Sequence, residues 1–451
     1  MPDMEMVVDA NPAALKITGV GPIELLEGQG DGGSRKPVIV IEGTDIAQSG
    51  VTVEIVASPG ATNVPMLTVD SAPPQIDVYG HHVAIAVTVM VDEALTPTDV
   101  IPLDVKVTQD GGGTPVSQTL SGILTLKGLA EYDNMGTTVP PLVAGVNKFS
   151  RVNLTMGTLP KPPTGPVIIE ATASITIAAA VVATFDGTST TAGPGGNNGG
   201  AGGPVQALSA SSGEAGEGAA GGDGGSAAGN PAKQYMGDDQ LTTIDTMDKL
   251  ANSSSGGGGG GVPAVSLTPG GRGGGGGGTI SITAGGSVTL SNTISAKGSA
   301  GQSGGSFANP GGPGSGGIIL VRGGGDVTTG TLDVSGPGPA GRVRVDAGGV
   351  RTTGAGHQGP TFVNLPLIVN EEKPTFEVQG TASKGIRYIV IRGNDIEGPI
   401  DLTMGNTGRA SITLQNPLVQ GLNVICLLVE AAPAATYTRN CATVAHIFKT
   451  P

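Results

Sequence analysis

A chain of 451 residues is longer than one ordinary compact domain, so several structural units are expected. Its net charge of −14, carried by dispersed acids, excludes the clustered basic surface that nucleic acids and anionic membranes require. Glycine contributes 80 residues, aromatics only 2% and tryptophan none, so any core must be assembled from small aliphatic contacts.

With 37% hydrophobic residues, and valine, isoleucine and leucine in strand-like runs, the composition argues for a folded β protein rather than a disordered one. No apolar run reaches the roughly 18 residues of a membrane-spanning helix. The opening Met1-Pro2-Asp3-Met4-Glu5-Met6 is acidic and lacks the apolar stretch of a secretion signal. Either a signal has been removed or the protein is assembled inside the cell, as a part of a phage-like particle would be.

Composition divides the chain into three regions. Residues 1–147 read as short strands separated by turns, including Leu15–Val20, Val38–Ile41, Val51–Val56, Val83–Val91, Leu103–Thr108 and Gln118–Leu126. Strict alternation in Val51-Thr52-Val53-Glu54-Ile55-Val56, with turn signals such as Ser58-Pro59-Gly60, predicts a β-sandwich-like N-terminal region. The phrases Ile17-Thr18-Gly19-Val20, Val38-Ile39-Val40-Ile41-Glu42-Gly43-Thr44-Asp45-Ile46 and Val51-Thr52-Val53 resemble bacterial immunoglobulin-like domains of the IPT/TIG kind.

Residues 148–360 hold most of the glycine and a recurring aliphatic unit. Copies begin near Val167, Ile280, Ile318 and Arg342, and each full copy carries two or three short strands. Isoleucine alternates with serine and threonine, as in Ile280-Ser281-Ile282-Thr283, so one face points inward. A single unit cannot bury that face, whereas stacked units can, which predicts a glycine-rich β-solenoid-like core. Insertions at 188–278 and 299–316 separate the copies and contain the runs Gly256–Gly261 and Gly273–Gly278. Two readings of them stay open: flexible loops, or packed extended helices of polyglycine II type, with three residues per turn. Within the first insertion, Leu241, Ile244, Met247 and Leu250 fall near helical spacing after Asp238 and Asp239, suggesting a short helix over 238–251.

The phrases Ile175-Thr176-Ile177, Gly278-Thr279-Ile280-Ser281-Ile282 and Leu332-Asp333-Val334-Ser335-Gly336 resemble the glycine-rich solenoid surface proteins of myxobacterial type. In composition alone the insertions are similar to polyglycine-bearing phage tail adhesins. Neither resemblance implies a catalytic residue.

Residues 361–451 are expected to form a C-terminal Ig-like β-sandwich. Phe376-Glu377-Val378-Gln379-Gly380-Thr381-Ala382 and Gly421-Leu422-Asn423 before an apolar strand resemble the Ig-like domains of bacterial surface proteins. The only two cysteines, Cys426 and Cys441, flank the turn Ala431-Ala432-Pro433-Ala434-Ala435, and their midpoint falls within it, between 433 and 434. A hairpin centred there sets them opposite one another, so a Cys426–Cys441 disulfide is predicted, with an oxidising compartment as its consequence.

The search for chemistry is mostly negative. His81, His82, His357 and His446 are scattered, and no metal site or cofactor is predicted. Gly301-Gln302-Ser303-Gly304-Gly305 has the spelling of a nucleophile elbow but lies inside a glycine insertion. The glycine runs lack the Gly-Lys-Ser/Thr ending of a phosphate loop. Arg322, Asp333, Arg342, Arg344 and Asp346 occupy consecutive copies, where an alternating charge ladder explains them more simply than a polysaccharide-cleaving site. The expected function is that of a non-enzymatic, extracellular or cell-surface structural or adhesive protein. It would act through protein partners or self-assembly as a homo-oligomer or filament, without nucleic acid or membrane insertion. Alternatives are a receptor-binding or fibre component of a phage-like or contractile injection particle, and a β-helix enzyme acting on polysaccharide.

Overall fold

The computed structural model describes residues 14–446, excepting chiefly 134–140, 226–253, 354–360 and short stretches between strands. The segment 238–251, His357 and the turn 432–435 lie outside the described residues. The described part is all-β.

The first region folds as two sheets around one apolar cluster. One sheet pairs Lys16–Gly21 with Val38–Thr44, which pairs in turn with His82–Val89. The other joins Thr52–Ala57, Val100–Asp110, Pro115–Lys127 and Glu24–Leu26. Period-two alternation places Ile39, Ile41, Val53, Ile55, Val105 and Val107 on the inner faces, where they share a core.

Next follows a stack of parallel strands in three sheets. Gly145–Phe149, Val167–Ala171, Thr279–Ala284, Ile318–Gly323 and Arg342–Ala347 form one sheet, each strand supplied by a successive turn of the chain. Val152–Leu154, Ile175–Ile177, Val288–Leu290, Val327–Thr329 and Arg351–Thr353 belong to the second, and Val181–Thr184, Ile294–Ser295 and Leu332–Asp333 to the third. Parallel pairing begins at Tyr132–Asp133, upstream of the boundary at 148 expected from composition.

The register explains the sequence repeat. Val167, Ile280, Ile319 and Val343 lie side by side, as do Ile169, Ile282, Val321 and Val345, and these columns fill a shared core. Outward positions carry polar ladders. Thr176, Thr289, Thr328 and Thr352 are neighbours on successive turns, about 4.8 Å apart as strand spacing dictates. A second ladder runs Lys148, Glu170, Thr283, Arg322, Asp346.

The first region is pinned to this stack at one corner. Glu27 is buried, and its carboxylate accepts the backbone N–H groups of Asp92 (2.8 Å) and Leu129 (2.9 Å). Burial pushes the Glu27 carboxyl above its usual range, against those two hydrogen bonds. The Thr172 hydroxyl donates to the Glu27 carbonyl, and Arg151 pairs with Asp31 at 3.1 Å. Gly28, at φ 80°, lies where an added Cβ would stand 2.7 Å from the Thr172 hydroxyl, so glycine is required there on both counts.

Between turns, the glycine segments leave the stack and fold on one another. Gly200 donates to the Gly257 carbonyl (2.9 Å) and Gly203 to Gly260 (2.9 Å), three residues on. Gly257 donates to Gly274 (2.9 Å) and Gly260 to Gly271 (2.8 Å), while Gly271 and Gly274 donate to Asn309 (2.8 Å) and Gly312 (2.9 Å). Segments 193–203, 211–217, 222–225, 256–262, 270–278, 298–304 and 308–317 are joined in this way into an array. The three-residue step turns successive N–H groups toward different neighbours, so a central segment bonds on several sides. Such spacing excludes side chains: an added Cβ would stand 1.9 Å from a backbone oxygen at Gly199, Gly256 and Gly273.

The last region packs two sheets around Phe376, Val378, Tyr388, Val390, Ile412, Ile425 and Val444. Arg392 and Glu397 form a buried pair at 2.5 Å. Burial raises the Glu397 carboxyl, but hydrogen bonds from Arg392, the Gln415 N–H and Asn416 outweigh it and hold the group below its usual range.

Two predictions follow from this packing. Gly273→Ala, whose methyl would meet the Gly257 carbonyl, costs at least about 2 kcal/mol and strips amide protection from 256–278 in hydrogen exchange. Gly385→Ala is the control, with nothing within 4 Å of the new methyl, and should change little. Equal protection in both variants would refute the tight array. For Glu397, a lowered pKa means a contribution present above the usual carboxylate range and lost as pH falls through the lowered value. Glu397→Gln, which leaves Arg392 buried without a countercharge, should destabilise the last region by about 3–5 kcal/mol and flatten its acid limb. An unchanged acid limb would show that the pair carries no such linkage.

Candidate binding surface at the free end of the glycine array

The array has a base and a free end. At the base, Gly278 donates to the Phe185 carbonyl and Gly317 to Ala296, tying the glycine segments to the parallel stack. At the other end, Gly270 donates to Gly203 (3.0 Å), Asn309 to Gly261 (3.1 Å), and Ser211 and Val262 exchange N–H···O bonds. Beyond these last contacts the described residues are 204–206, 209–210, 263–264, 267–269 and 305–307.

Among these described residues, three large apolar side chains are open to solvent. Leu267 is 89% exposed, Phe307 80% and Val205 43%. Leu267 and Phe307 exceed every other exposed large apolar residue described. The remaining described phenylalanines are spent inside the molecule: Phe185, Phe362 and Phe376 are buried, and Phe149 stacks on Tyr132 at 4.7 Å. The two most exposed loops are fastened together, with Thr268 Oγ1 donating to the Ser306 carbonyl at 3.1 Å and the Gly305 N–H to Pro269 at 3.4 Å.

The backbone at Phe307 is unusual. Its φ is 65°, in the left-handed region that bulky residues avoid. Asp45 and Ser383 are the other non-glycine residues of positive φ among those described, and both are small and polar. An aromatic ring held outward at the expense of local conformational energy points to a use for the ring rather than to packing.

Charge is sparse along two of the segments that reach this end. From Gly187 to Gly213 there is no charged residue, and from Ser254 to Ala296 only Arg272. The acids of the array, Glu214, Glu217 and Asp223, are exposed along its flank.

The residues singled out from sequence are placed elsewhere. Cys426 and Cys441 are direct register partners on the antiparallel strands Gly421–Ala431 and Thr436–His446, and Cys426 is buried. His81 is exposed, His82 half-buried, and His446 buried in the last region, so they do not converge. Among the described residues no group of three or more histidine, cysteine or acidic side chains is placed to hold a metal ion. Gly301–Gly305 runs along the array, not at a strand-to-helix turn. Asp333 pairs with Lys297 at 2.7 Å; burial raises its carboxyl, and hydrogen bonds from Lys297 and Ser335 bring it below the usual range. Arg322 is paired in register with Asp346. No helix among the described residues is long and apolar enough to cross a membrane.

Sequence reasoning overlooked Val205, Leu267 and Phe307. The signal was present: the glycine runs are broken by short charge-free insertions that carry large apolar residues, as in Pro263-Ala264-Val265-Ser266-Leu267-Thr268-Pro269. No protein-family model matches the chain, and neither a curated protein nor a solved structure matches it.

Proposed function

We propose that the chain is a non-enzymatic, extracytoplasmic structural or adhesive protein of a cell surface or appendage. In this reading the stacked turns are a β-solenoid, the flanking regions are Ig-like sandwiches, and the glycine array is a bundle of polyglycine II helices. The free end of that bundle is the working surface. One observation carries the reading: the most exposed apolar side chains among the described residues, Leu267 and Phe307, lie on loops joined by the Thr268–Ser306 hydrogen bond. A scaffold held by backbone hydrogen bonds gives such a tip a fixed position at low conformational cost. The register opposition of Cys426 and Cys441 supports a disulfide between them, and with it an oxidising environment.

Both parts are open to direct measurement. Beads carrying the full chain should hold under flow on a methyl-terminated surface better than on a carboxylate-terminated one. The double substitution Leu267→Ser and Phe307→Ser should cut that retention several-fold with melting unchanged. Equal retention by both proteins would remove the adhesive reading. For the cysteines, alkylation without reductant followed by peptide mass analysis should leave a linked 426–441 pair. Reduction should then lower stability by about 3 kcal/mol, the value for a loop of roughly 15 residues. Two alkylated cysteines in the untreated protein would rule the bridge out.

A further inference from the structure

We draw no further inference here: the strongest candidate, the buried apolar patch of Ile168, Ile318 and Leu320 on the outward face of the first parallel sheet, carries nothing because nothing among the described residues shows what covers it.

Discussion

The contact on which the glycine array depends is a backbone N–H meeting the carbonyl of a neighbouring segment at 2.7–3.2 Å, with no side chain between them. Ordinary sheets reach such distances in one plane, because side chains occupy the other directions. Here the segments approach from several directions at once. Gly257 donates to Gly274 and accepts from Gly200, while the adjacent Gly258 accepts from Gly312. Glycine loses more conformational entropy on ordering than any other residue, and lateral bonding of its peptide groups is what offsets that cost here. The same condition fixes composition: at Gly199, Gly256 and Gly273 a single methyl would displace a backbone oxygen.

The parallel stack supplies what glycine cannot, an apolar core and a fixed origin. Chain leaves the stack after Val181–Thr184 and returns at Thr279–Ala284, yet Val167 still pairs with Ile280 and Ile175 with Val288. A long excursion is tolerated because the entropic cost of loop closure grows only slowly with length, and because the excursion is itself bonded to the turn below it. Gly187 donates to Lys297, and Gly278 to Phe185, so the array is clamped at its root by the turns it connects. The clamp at the root and lateral bonding along the length together fix where Leu267 and Phe307 stand.

Much of this was legible in the sequence, and the reasons for the rest are physical. Period-two alternation in Ile280-Ser281-Ile282-Thr283 and its recurrence identified strands that stack, because inward and outward positions differ in polarity. The opposition of Cys426 and Cys441 was readable from hairpin symmetry. Whether the glycine insertions are ordered was not readable, since a polyglycine run looks the same whether its amides bond to water or to each other. Only the lateral partners, which lie 57 residues away for Gly200 with Gly257 and 38 for Gly271 with Asn309, distinguish the two. The tip was missed for a related reason. Leu267 and Phe307 are 40 residues apart, and only the pairing of their segments brings their loops together. The left-handed backbone of Phe307 leaves no trace in residue type, because nothing about phenylalanine predicts it.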